Sequence, residues 1–266
     1  MSVAVVMSWA APHAWAAAAV PEPLAEGVYC DGGDAAAGGV IAFAGWTVHA
    51  AWAWHWLQAL EDTGSLALAP QALRCVVRGP QDSSFKRKDI DTAALAGRLG
   101  AAVAPDRRAP ALTVIAHSSG AYVAHHWLRQ LPANWWPRIR YYNLDGDIGV
   151  EERELDRALI QALTSVTAVY ASDGQGGESA NADRMRALHA LDPQRVCLRE
   201  LRAEDGVCAA GARWCLHEVL ITQRPHDATG FDLARDYGRI GPGRPVQDGY
   251  LHARCAQGQQ PTPGPR

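Results

Sequence analysis

The run Leu112-Thr113-Val114-Ile115-Ala116-His117-Ser118-Ser119-Gly120-Ala121 constrains this chain more than any other segment. An apolar, β-prone stretch ends at a serine, and the positions two before and two after it, Ala116 and Gly120, carry almost no side chain. A sharp strand-to-helix turn demands that spacing. The serine is held in strained backbone geometry, neighbouring chain closes on it, and bulk at either flank has nowhere to go. Ser118 fits the apex. With Ser119 there instead, the flanks would be His117 and Ala121, and an imidazole cannot occupy the tightest part of the turn. Serines also cap helices, so the rest of the chain has to discriminate.

Apolar runs and amphipathic stretches alternate along the sequence. They predict strands over Val40–Ala44, Leu73–Val77, Leu112–Ala116, Ile139–Leu144, Val166–Tyr170 and Val196–Leu201. Helices are expected over Val48–Leu60, Asp91–Leu99, Ala121–Leu131, Glu151–Leu163 and Ala182–Leu191. This alternation implies an α/β fold, a mostly parallel central sheet with helices on both faces. The chain has 266 residues, 48% of them hydrophobic, without repeat or linker. That suits one domain over residues 19–266, preceded by a possible signal peptide at residues 1–18. The latter is apolar and alanine-rich, with Ala14-Trp15-Ala16 in the small-x-small form that a signal peptidase accepts.

Active sites in such sheets lie at the carboxyl ends of strands, so partners for Ser118 should follow later strands in the order acid, then histidine. Two aspartates do: Asp145, in Asn143-Leu144-Asp145-Gly146, and Asp173, in Ala171-Ser172-Asp173-Gly174. Either could serve as the acid, and Asp173 could instead initiate a turn. Two histidines follow, His217 in Cys215-Leu216-His217 and His226 in Pro225-His226-Asp227. Either could be the base, although His226 beside Pro225 could belong to a loop hydrogen-bond network. His125 and His126, inside the helix after the elbow, are expected to serve packing or the surface. The sequence contains no His-Glu-x-x-His pattern and no Cys/His ligand cluster, so no metal and no cofactor is expected.

These residues resemble the α/β-hydrolases, and their order is similar to that of secreted lipases of the pancreatic lipase type. His117-Ser118-Ser119-Gly120-Ala121 matches the family's elbow, Leu144-Asp145 its leucine-aspartate, and Cys215-Leu216-His217 its cysteine-x-histidine. Phe43-Ala44-Gly45-Trp46 stands where the family has its oxyanion turn. Ala116, Ala44 and Gly146 replace the family's glycine, histidine and proline. The resemblance implies Ser118 as nucleophile, His217 as base, Asp145 as its orienting acid, and the backbone N–H groups of Ser119 and Trp46 as oxyanion donors. It implies a serine hydrolase acting on small-molecule or lipid esters. Acyl transfer, amide or polyester cleavage on the same triad, and a non-catalytic binding protein on a hydrolase scaffold, are the competing readings. The six residues between Cys208 and Cys215 would make too small a loop for a large lipase lid.

Composition narrows the partners. The formal net charge is −3, and the compact basic run Lys86-Arg87-Lys88 leads into an amphipathic segment. A solvated helix start is expected there rather than a nucleic-acid site. No apolar run reaches the ~20 residues of a membrane span. An even count of six cysteines suits an oxidising compartment, and with the leader implies a secreted or periplasmic protein. Their spacing leaves the pairing open, although Cys208 and Cys215 could close one short loop and Cys255 could tether the Gly- and Pro-rich segment from Gly241 to Arg266. Trp46, Trp52, Trp54 and Trp56 crowd the first turn and its helix, with core packing expected for Trp52 and Trp56.

Overall fold

The computed structural model describes residues 19–62, 66, 68–81, 90–100, 112–146, 153–203 and 207–221. The Ala14-Trp15-Ala16 segment, Lys86-Arg87-Lys88, His226 and Cys255 lie outside the described residues. Eight strands form one sheet: β1 (Pro23–Ala25), β2 (Val28–Cys30), β3 (Asp34–Phe43), β4 (Ala72–Val77), β5 (Leu112–His117), β6 (Ile139–Leu144), β7 (Ser165–Ser172) and β8 (Val196–Arg202). Among the described residues six α-helices accompany it, α1 (Ala50–Asp62), α2 (Ala93–Leu99), α3 (Gly120–Gln130), α4 (Arg153–Ala162), α5 (Ala182–Leu191) and α6 (Arg213–Glu218), with a 3-10 helix at Ala133–Arg138.

The strand order is β1-β2-β4-β3-β5-β6-β7-β8. The pairs from β4/β3 through β7/β8 are parallel, while β1/β2 and β2/β4 are antiparallel. Parallel strands covered on both faces must be apolar throughout, not alternating. All six residues of β5 are indeed buried, as are Val40 to Phe43 of β3.

One face packs against α2 to α5 through Leu95, Leu99, Trp127, Leu128, Ile160 and Met185. The other packs against α1 and α6 through Trp56, Leu57, Leu60 and Leu216. Each fully buried side chain of this size contributes about 1.5–3 kcal/mol, and these two layers clamp the sheet edge on which the site is built. Strand order and helix distribution together define the α/β-hydrolase fold.

The expected strands and helices correspond to observed ones, with ends displaced by a few residues except at β6 and α5. Four elements were not anticipated, one of them the 3-10 helix at Ala133–Arg138. Strands β1 and β2 have three residues each, too few to show periodicity, and α6 is only six residues long. The antiparallel register of β2 and β4 sets Cys30 opposite Cys75, and the two are disulfide-bonded. Cys208 and Cys215 close the short loop before His217, and Cys197 is also disulfide-bonded. Trp56 and Trp54 are buried and Trp52 half-buried, while Trp46 is exposed. His125 lies buried against Tyr141 and His126 bonds Gln130 on the surface, as packing and surface roles require. Among the described residues no helix is long and apolar enough to cross a membrane.

Candidate active site

Sheet order reverses between β3 and β5, which are adjacent although β4 intervenes in sequence. Ligands in open α/β sheets bind at such a switch point, beyond the carboxyl ends of the strands. The only non-glycine residues with positive φ among those described are Thr47 at 62°, Ser118 at 55° and Asp145 at 45°. They occupy the turns directly after β3, β5 and β6, which are neighbouring strands. For a non-glycine residue such a conformation costs on the order of 1–3 kcal/mol, with aspartate the better tolerated. It persists only where surrounding structure enforces it.

At Ser118 the enforcement can be traced. Its N–H donates to the Leu144 carbonyl (3.3 Å), and its own carbonyl accepts the first helical bond of α3 from Ala121 (3.1 Å). A Cβ added at Gly120 would stand 2.6 Å from the Ala44 carbonyl oxygen and closer still to that of Phe43. Glycine is therefore the only residue that lets α3 start against the β3 turn. Ser118 itself is half-exposed. The Ser119 N–H has no acceptor among the described residues, so it is available at the start of α3. The turn holding Trp46 abuts the serine: a Cβ at Gly45 would lie 3.1 Å from Ser118 Cβ. That turn is fastened by Thr47 N–H to the Pro80 carbonyl (2.9 Å) and by Gly79 N–H to the Val48 carbonyl (2.9 Å).

Asp145 and His217 are both buried and in contact, with Nδ1 of the histidine 2.6 Å from Oδ2 of the aspartate. Opposite a carboxylate, Nδ1 carries the proton, leaving Nε2 as the basic nitrogen. Burial acts against a charge on His217, but the hydrogen bond and charge of Asp145, with Glu218, outweigh it, and its pKa is raised above the ordinary value. Ser179 Oγ donates to Asp145 Oδ1 (2.7 Å), Asn181 N–H to Oδ2 (3.2 Å), and Asn181 Nδ2 to the Asp145 carbonyl (2.8 Å). A buried carboxylate needs such compensation. Nothing in the sequence pattern distinguished Ser179 and Asn181, since they reach Asp145 only because the chain after β7 folds back over β6.

His117, the residue before Ser118, is buried too. Its Nε2–H donates to the His217 carbonyl (3.3 Å), and the two rings lie 4.5 Å apart. Burial, then the nearby His217, pushes its pKa well below the usual value, so it stays neutral. Among the described residues no hydrogen bond joins Ser118 to His217; unliganded sites often hold this pair loosely.

Asp173 is elsewhere. Its Oδ1 accepts from the N–H groups of Gln175 and Gly177 (2.8 Å each) and its Oδ2 from that of Gly211 (3.3 Å). It makes no contact with His217. These backbone donors, Gln175 first, hold its pKa below the usual carboxylate value. It behaves as the turn former that its glycine-rich surroundings allow. Among the described residues no cluster of histidine, cysteine, aspartate and glutamate could hold a metal ion.

No protein-family model matches the chain. No curated protein matches it either. Among solved structures it is similar to a CIB-like hydrolase from Thermoplasma acidophilum, at 10% identity and a TM-score of 0.44, over 66% of this chain and 82% of that one. It is also similar to a carboxylesterase structure from the thaumarchaeon Nitrososphaera gargenis, at 14% identity and a TM-score of 0.43, over 72% of this chain and 89% of that one. Both neighbours are hydrolases or esterases; the strand order of this chain is what carries its fold assignment.

Proposed function

We propose that this protein is a serine hydrolase that cleaves carboxylic esters through an acyl-enzyme, with Ser118 as nucleophile, His217 as base and Asp145 as the acid that orients it. The observation that carries the reading is the buried 2.6 Å contact between Asp145 and His217 on the same strand edge as a half-exposed serine at φ 55°. His217 Nε2 takes the Ser118 proton as Oγ attacks the ester carbonyl. The developing oxyanion is held by the N–H groups of Ser119 and Trp46, each such donor lowering the barrier by about 2.7–4 kcal/mol. Collapse expels the alcohol, which leaves with the proton from His217, and water repeats the sequence on the acyl-enzyme.

The acid comes from the end of β6, as the resemblance to secreted lipases implies. The substrate is a small-molecule or lipid ester. Export to an oxidising compartment is supported by the disulfides Cys30–Cys75 and Cys208–Cys215. Steady-state hydrolysis of short-chain esters tests the reading. The purified chain should turn them over, and Ser118→Ala should lower kcat on the order of 10⁶-fold while the protein stays folded. Unchanged turnover by Ser118→Ala would remove the serine from the chemistry.

A further inference from the structure

Three large apolar side chains of the described residues are exposed: Leu24, Trp46 and Trp214. Isolated apolar residues on a surface need no explanation. Here, however, Trp46 belongs to the turn that abuts Ser118, and Trp214 stands against His217. Their rings are perpendicular with centroids 5.5 Å apart. Trp214 is also the most exposed of the three, at 62%, so the core gains little from it.

It is nevertheless firmly placed. Cys215, the next residue, is tied to Cys208, and Arg213 on its other side donates to the Ala180 carbonyl (2.9 Å). Ala180 lies in the segment that supplies Ser179 and Asn181 to Asp145. An indole mounted on the same anchored turn as the base can offer a flat apolar face at little entropic cost.

Resting on the reading above, we propose that Trp214 forms the subsite for the departing alcohol and selects alcohols that carry a flat apolar ring. The direction follows from the chemistry. Nδ1 of His217 is engaged by Asp145, so the leaving oxygen must take its proton from Nε2, and the carbon attached to that oxygen continues past the imidazole. The described aromatic rings against His217 are His117 and Trp214. His117 is buried at the end of β5, which leaves Trp214, among the described residues, as the aromatic surface that a departing group meets.

The test compares kcat/KM for benzyl acetate and ethyl acetate, which share an acyl group and have alcohols of similar acidity. The wild type should prefer the benzyl ester. Trp214→Ala should reduce the benzyl-to-ethyl ratio about tenfold, and Trp214→Phe, which restores a ring, should recover most of it. A wild type that hydrolyses ethyl acetate, with a ratio that Trp214→Ala does not move, overturns the subsite and leaves the hydrolase reading standing. A wild type inert to both esters overturns the hydrolase reading and the subsite with it.

Discussion

Asp145 and Asp173 each follow a strand of one parallel sheet, β6 and β7, and each is followed by glycine. Their surroundings have nothing else in common. Asp145 is buried, adopts a positive φ, and divides its two oxygens among an imidazole, a hydroxyl and a backbone N–H. Asp173 is solvated and receives three backbone N–H groups, two from its own turn and one from Gly211. A carboxylate that accepts only local backbone donors shapes a loop. One that is buried beside a titratable ring, at the cost of desolvation, is a candidate for a chemical role. The segment after β7 takes part in both. It forms the Asp173 turn, then returns through Ser179 and Asn181 to enclose Asp145.

The sharpest way to break this contrast is to neutralise each aspartate. Asp145→Asn should lower kcat by about 10⁴-fold, because an amide can hold His217 in the wrong tautomer. Asp173→Asn should change it less than about threefold, as exposed substitutions usually do. Equal losses in steady-state rates would erase the distinction.

Smaller, and specific to the enclosure, is Ser179→Ala. A hydrogen bond to a buried charged group contributes about 1.5–3 kcal/mol, so kcat should fall about 10- to 100-fold. The carboxylate then has only Asn181 to share its charge with besides His217. The acid limb of the pH–rate profile should therefore move to higher pH, a shift that mere loosening would not produce.

The pH dependence of the wild type sharpens the same point. The proposed mechanism requires neutral His217, whose pKa is raised. Half-maximal kcat/KM should thus fall above about pH 6.5 and rise with pH. Stability from this group runs the other way: it is fully present below about pH 6.5 and lost as pH rises through the folded-state pKa. For His117 the pKa is depressed, so its contribution is present above about pH 6.5 and lost as pH falls through its folded value. Chemical denaturation of His117→Gln across pH 4–7 should show a weaker acid loss than the wild type.

A modest effect on rate is expected from the short loop that Asp173 touches. Replacing Cys208 and Cys215 by serine should cost about 2–3 kcal/mol of unfolding free energy, by loop-entropy arithmetic for a sequence separation of 7. Thermal unfolding measures it. Ester turnover should fall only severalfold, since Asp145 still holds His217.

Much of this was legible in the sequence for a physical reason. Buried parallel strands are continuous apolar runs, so β5, β7, most of β4 and the second half of β3 announce themselves. The elbow is written in the small residues at Ala116 and Gly120 because two backbones meet there. The choice between Asp145 and Asp173 was not written locally, for both are aspartates after β-prone runs. What separates them is a return of the chain after β7, a long-range event carried by Ser179 and Asn181, residue types common in any loop. The Cys30–Cys75 pairing likewise depends on the register of a three-residue edge strand, too short to leave a pattern.

In the proposed mechanism one hydroxyl, on Ser118, is the nucleophile served by the Asp145–His217 pair. Intact-mass and peptide-mapping analysis of the folded protein after treatment with a fluorophosphonate tests it most directly. One adduct per chain is expected, on Ser118, and it should be lost in His217→Ala. An adduct on Ser119, or folded protein that takes up none, would contradict that mechanism.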